Sequence, residues 1–191
     1  CTVSRTYDCG STIQGIANGD MLIENVKFIG NTFIHCRQAF EHFIRSKEGT
    51  AKYSDCEFSS NRCFEMGENE FSTPETRDAA LLSYERKPIT GLSINKNFFW
   101  GSSAYCNQYC TAEMSGNTFY VFKDQYLLFN RWQPQDAVFA DEEDGIDKMR
   151  KVLGNESDKI FIADRGDSQL RSEIISEHFK GAEDDIKRLC K

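Results

Sequence analysis

Four eight-residue segments of the chain share one pattern of apolar and polar positions: VKFIGNTF (Val26 to Phe33), CEFSSNRC (Cys56 to Cys63), LSINKNFF (Leu92 to Phe99) and AEMSGNTF (Ala112 to Phe119). Each reads apolar, any, apolar, any, any, Asn, any, apolar. Period-two alternation predicts a strand whose first and third residues face inward, and the Asn predicts a turn into the next strand. A strand-and-turn unit of this size cannot bury its own apolar side, so copies of it must stack on one another.

The spacing of the repeated Asn selects the kind of stack. Asn31 and Asn61 lie 30 residues apart, Asn61 and Asn97 lie 36 apart, and Asn97 and Asn117 lie 20 apart. One short and two longer intervals fit a parallel β-helix with loops inserted between coils. Adjacent coils lie about 4.8 Å apart, within reach for stacked Asn side chains to hydrogen-bond. A leucine-rich repeat would need a run of leucines that is absent, Phe taking their place. FEMGENEF (Phe64 to Phe71) fits the same template too close to Asn61 for both to be rungs, and Asn61 is preferred.

The phrases ENVKFIGNTF, GLSINKNFFWG and EMSGNTFYVF carry a resemblance to right-handed parallel β-helix proteins of the pectate-lyase-like superfamily, over about residues 12 to 130. That group includes polysaccharide lyases, glycoside hydrolases, epimerases and phage tailspikes. The segments NTFYVFKDQYLLFNRW and DEEDGIDKMRKVLGNESDKIFIAD also resemble the closing coil and tail of secreted bacterial β-helix proteins. The implied fold is an all-β solenoid, a right-handed parallel β-helix of about four or more coils (residues 1–132) followed by a small α/β C-terminal tail (residues 133–191).

In that tail, Ile146, Met149, Val152 and Leu153 form a helical stripe ending at Gly154, and KIFIA (Lys159 to Ala163) reads as a strand. Asp167 or Ser168 caps a helix carrying Leu170, Ile174, Ile175 and Phe179, and Ile186, Leu189 and Cys190 form a last helical turn or two. These helices require an apolar surface to cover.

Composition narrows the partners. The net charge of −7 disfavours nucleic acid and anionic membrane, and no apolar run approaches a membrane span. The chain opens at Cys1, which fits either a mature lipoprotein or the C-terminal part of a longer solenoid, the latter preferred because no N-terminal cap precedes the coils. The resemblance implies a protein secreted or held at the cell surface, as a lipoprotein through Cys1 in one reading. Eight cysteines form no clear disulfide framework. Cys56 and Cys63 occupy inward positions, a loop disulfide between Cys106 and Cys110 is preferred to a zinc site, and His35, His42 and His178 are not spaced as zinc ligands. No resident metal is therefore assigned.

Chemistry, if present, must sit on the outward columns. Asp55 and Glu57 share an outward strand face with backbones roughly 6.6 Å apart, and Lys27 lies beside them if the coils stack in register. Paired carboxylates serve glycoside hydrolysis, a carboxylate cluster binds Ca²⁺, and Lys27, Lys52 or Arg62 would be the base of a lyase. The competing reading of this trio is a solvated charged face. Three residues after each Asn stand Ile34, Phe64, Trp100 and Tyr120, an outward column. Phe64, Trp100 and Tyr120 would form a sugar-stacking platform with Trp100 the most accessible, unless the C-terminal helices lie across it. The expected roles are a polysaccharide lyase or glycoside hydrolase, or a non-catalytic surface or spike module that binds glycans. Asn155 also heads a glycosylation sequon.

Overall fold

The computed structural model of the chain describes residues 1–72, 80–83, 90–107, 112–129, 134–153 and 156–190. The Cys106–Cys110 pairing, the Asn155 sequon and the helix stop at Gly154 fall outside the described residues. The strands are β1 (Thr2–Ser4), β2 (Cys9–Ala17), β3 (Met21–Glu24), β4 (Lys27–Ile29), β5 (Thr32–Ile34), β6 (Gln38–Ser46), β7 (Ala51–Ser54), β8 (Cys56–Ser59) and β9 (Arg62–Phe64). They continue with β10 (Leu81–Ser83), β11 (Leu92–Asn95), β12 (Phe98–Trp100), β13 (Tyr105–Asn107), β14 (Glu113–Ser115), β15 (Thr118–Phe122), β16 (Tyr126–Phe129), β17 (Val138–Phe139) and β18 (Lys159–Ala163). The helices are α1 (Gly145–Leu153), α2 (Ser168–His178) and α3 (Glu183–Leu189).

The expectation of an all-β solenoid, a right-handed parallel β-helix, is corrected. Its strands would run in one long stack, whereas the described strands divide into four separate sheets: β1-β5-β9-β12-β15-β18, β17-β16-β13-β10-β6-β2, β14-β11-β8-β4 and β3-β7. Strand β17 runs antiparallel to β16, and among the described residues three α-helices complete a mixed, mostly-β architecture. The physical reason is in the backbone. Most strands are three to five residues long and end at a residue with positive φ, which no sheet can carry through. One set of such corners is Asn25, Asp55 and Gly91, a second is Gly30, Ser60, Lys96 and Gly116, and a third is Arg5, His35, Glu65 and Gly101.

The corners bond in register. His35 N donates to Phe64 O at 2.8 Å, Glu65 N to Trp100 O at 2.7 Å, and Gly101 N to Tyr120 O at 2.7 Å. The Asn side chains span a second line of contacts. Asn61 donates from N and Nδ2 to Asn97 Oδ1, and Asn97 does the same to Asn117. Asn69, the competing template position, instead donates to the carbonyls of Thr6 and His35.

Two large apolar clusters and a small one of Leu82 and Phe129 form among the described residues. The first fills the space between the sheets, with Phe40 stacked on Phe58 and Phe99 on Phe119, both at 4.6 Å between ring centroids. The second lies on the outer face of the β1-to-β18 sheet, where α2 and α3 bring Ile174, Phe179 and Ile186 onto Ile34, Phe64, Phe98 and Trp100. Asp167 caps α2 by accepting from Leu170 N at 2.9 Å, worth about 1 kcal/mol. Full burial of Phe179 contributes roughly 1.5–3 kcal/mol to docking this helix.

Candidate functional site

Strand register sets Lys27 beside Glu57, Glu57 beside Ser93, and Ser93 beside Glu113 on the outer face of β4, β8, β11 and β14. Lys27 Nζ donates to Asp55 Oδ1 at 2.7 Å. The three residues weighed for catalysis are thus brought together, but the surroundings oppose acid–base work. The two paired side chains are 38% and 61% exposed. The hydrogen bond to Asp55 raises the Lys27 ammonium above its ordinary value, which keeps it protonated and so withholds it as a general base. Lys52 pairs with Leu22 on the β3–β7 sheet, and Arg62 is on β9, donating to Thr32 Oγ1 at 2.6 Å and His178 O at 3.1 Å. Neither joins the trio. Asp55 itself sits at a corner with φ of 52°, a conformation that Asn, Asp and Gly tolerate best. Its neighbours Asn25 and Gly91 are the other two such residues, so the corner accounts for the Asp.

The aromatic column is continuous across the large sheet: Ile34, Phe64, Trp100, Tyr120 and then Phe161 are successive register partners. Its first half is closed. Trp100 is 1% exposed and Phe64 is fully buried, under α2 and α3. The expected accessibility of Trp100 is therefore corrected: the helices required an apolar surface, and this column supplies it. Phe179 meets Phe64 edge-on at 5.1 Å, and His178 stacks on Phe98 at 3.9 Å. The second half is open. Tyr120 is half-buried, Phe161 is 43% exposed, and their rings stack at 4.8 Å with 22° between planes.

No family model, curated protein or solved structure matches this chain. Among the described residues no helix is long and apolar enough to cross a membrane.

Phe161 escaped the sequence template because that template demanded Asn. Asp158 takes the Asn position, and Phe161 stands three residues after it as Trp100 stands after Asn97. The template also demands an apolar residue where Asn155 stands, so admitting Asp alone would not have found this strand. Lys159 and Thr118 flank the ring pair on the same outward face and are exposed and half-buried respectively. A second exposed pair, Tyr7 and Phe71, meets edge-on at 68° and offers no shared plane.

Among the described residues, two groups of mixed donors lie close enough to hold a metal ion: His35, Glu65 and Cys190, and Asp8, Cys9 and Glu41. Neither was visible from spacing, since each draws on segments far apart in the sequence.

Proposed function

We propose that the chain is a glycan-binding protein that holds an extracellular polysaccharide on the Tyr120–Phe161 platform without cutting it. The observation that carries this reading is the near-parallel stack of those two rings with Phe161 left 43% exposed. Sugar rings present apolar C–H faces that stack on the negative face of an aromatic ring, and with one face of Phe161 held against Tyr120 it is the face turned away, on the edge strand β18, that would take a sugar. Lys159 and Thr118 supply polar contacts at its border, the amine suiting a carboxylated or sulfated sugar. Catalysis by Lys27, Asp55 and Glu57 draws less support, because an exposed ion pair accounts for Lys27 and a corner for Asp55.

The test is affinity electrophoresis and calorimetry against plant, algal and host polysaccharides, with reducing ends and unsaturated uronides followed in parallel. Wild-type protein binds at least one polymer, and Phe161→Ala weakens that binding by about 2 kcal/mol, roughly 30-fold, while Tyr7→Ala does not. Binding unaltered by Phe161→Ala, or polymer cleavage lost in Asp55→Asn, would replace this reading.

A further inference from the structure

We propose that His35, Glu65 and Cys190 form a site for one divalent cation of the Zn²⁺ type, which ties the C-terminal end of α3 to a corner of the large sheet. Their ligand atoms all lie within 4.8 Å of one another. Two of the three are placed by the corner ladder. His35 and Glu65 are equivalent residues of adjacent rungs, with φ of 54° and 53°, so their side chains leave the sheet one beside the other. The third arrives from the far end of the chain. Cys190 is the C-cap of α3, its N–H bonded to Ile186 O at 2.9 Å, and Ile186 is fully buried in the cluster beneath the helices.

The donor set is chemically selective. Imidazole nitrogen, carboxylate oxygen and thiolate sulfur together suit Zn²⁺ better than Ca²⁺ or Mg²⁺, and three protein ligands leave a fourth tetrahedral position for water. Each residue is half-buried, which excludes much competing water while leaving an entry path. His35 Nδ1 is buried and has no hydrogen-bond partner among the described residues, so a polar atom there lacks the partner burial normally demands. Burial also keeps the imidazole neutral to lower pH than usual, the form that binds metal, with Arg5 acting in the same direction and Glu65 and Glu70 opposing it. The Cys190 thiol hydrogen-bonds the Glu65 carboxylate and is held protonated, chiefly by burial. A cation replaces that proton: the S–H bond breaks, a metal–sulfur bond forms, and one proton leaves to solvent with no change of oxidation state. Arg171 Nε donates to Glu65 Oε1 at 3.3 Å, an outer contact that orients the carboxylate and leaves its second oxygen for the ion.

The experiment takes the full chain, reduced and stripped with chelator, and titrates it with Co²⁺ and then Zn²⁺, reading the tetrahedral cobalt bands, the thiolate-to-cobalt charge-transfer band and competition with a chromophoric chelator. One equivalent binds with the thiolate band present. Cys190→Ser removes that band and weakens Zn²⁺ by more than about 100-fold, beyond the range seen on losing outer-shell partners. His35→Asn, which keeps a residue type tolerant of the corner, weakens Zn²⁺ but retains the thiolate band. Cys1→Ser changes nothing, whereas Cys9→Ser reports on the second donor group, Asp8, Cys9 and Glu41. If Cys190→Ser does not fold, protection of Cys190 from alkylation by Zn²⁺ in the wild-type chain is read by mass spectrometry instead. Absence of stoichiometric cobalt binding, a thiolate band surviving in Cys190→Ser, a band lost in Cys9→Ser, or Cys190 alkylated equally with and without Zn²⁺ each overturns the proposal.

Discussion

Asn117 donates from its backbone N to Asp158 Oδ1 at 2.8 Å and from Nδ2 to both carboxylate oxygens at 3.1 and 3.2 Å. Every earlier contact in this line runs from one Asn to the next, and here the acceptor is an Asp that is 3% exposed. The substitution has a physical reason. Each Asn must accept from the rung before it and donate to the rung after it, whereas the last rung has only to accept. A carboxylate offers acceptors alone and strengthens the bonds it receives.

Asp158→Ala leaves the backbone N–H and one Nδ2 proton of Asn117 buried without that partner, and is expected to cost about 3 kcal/mol. Asp158→Asn keeps the acceptor and is expected to cost less than half as much. Urea unfolding midpoints at a common m-value check the order. Equal losses for the two would show that the charge, not the acceptor, is what matters.

Two glycine corners separate steric from backbone cost. Gly91 has φ of 90°, and a Cβ there would lie 2.1 Å from Tyr53 O, whereas Gly116 has φ of 65° and a Cβ would meet only Lys96 Cγ at 3.8 Å. Gly116→Ala is expected to cost roughly 1 kcal/mol, the left-handed penalty alone, and Gly91→Ala more than about 2 kcal/mol. Comparable unfolding midpoints for the two variants would remove the clash from the account.

The repeated template located β4, β8, β11 and β14 and the inward set Phe28, Phe58, Ile94 and Met114, because strand alternation is a local property of the chain. Corners were hidden, since Arg5, His35, Glu65 and Lys96 hold positive φ without being Gly or Asn, and it is the stacked hydrogen bonds that hold them there. Missing the corners gave one long stack where four sheets exist. The trio Lys27, Asp55 and Glu57 was legible as neighbours, yet the role of Asp55 at its corner was not. Helices lying across the aromatic column were foreseeable, but Trp100 was expected to stay its most accessible member because nothing local says which of those rings α2 and α3 cover. His35, Glu65 and Cys190 share no spacing signal at all, being joined only when the C-terminal helix docks.

That docking rests on Phe179. Its ring is fully buried and contacts Phe64 and Phe98, so Phe179→Ala is expected to cost about 3–5 kcal/mol and to loosen α2 from the sheet. In a Trp132→Phe background, Trp100 emission shifts to the red as the cover is lost. Emission that stays blue while stability falls would mean the helix remains seated.

His35 sets a pH dependence. Burial, reinforced by Arg5 and opposed by Glu65 and Glu70, holds its imidazole below the ordinary 6.5. Just below that value the unfolded chain binds more protons at this site than the folded one, so stability rises with pH through the window and is fully restored above it. As pH falls from 6.5 through the folded value, this contribution is lost. His35→Asn flattens the metal-free slope of unfolding free energy there, and an unchanged slope would assign it to other groups.

Asp55 is where a corner and a catalytic carboxylate give opposite results. A catalytic group would lose its activity in Asp55→Asn, since the amide neither accepts a proton nor attacks. A corner tolerates Asn, the residue found at the equivalent Asn25, and rejects a β-branched side chain in the left-handed region. Asp55→Asn is expected to leave the unfolding midpoint and glycan binding unchanged, while Asp55→Val costs about 1–2 kcal/mol of backbone strain. Polymer turnover abolished in Asp55→Asn with stability intact would make the residue a working carboxylate, and Lys27 and Glu57 its partners.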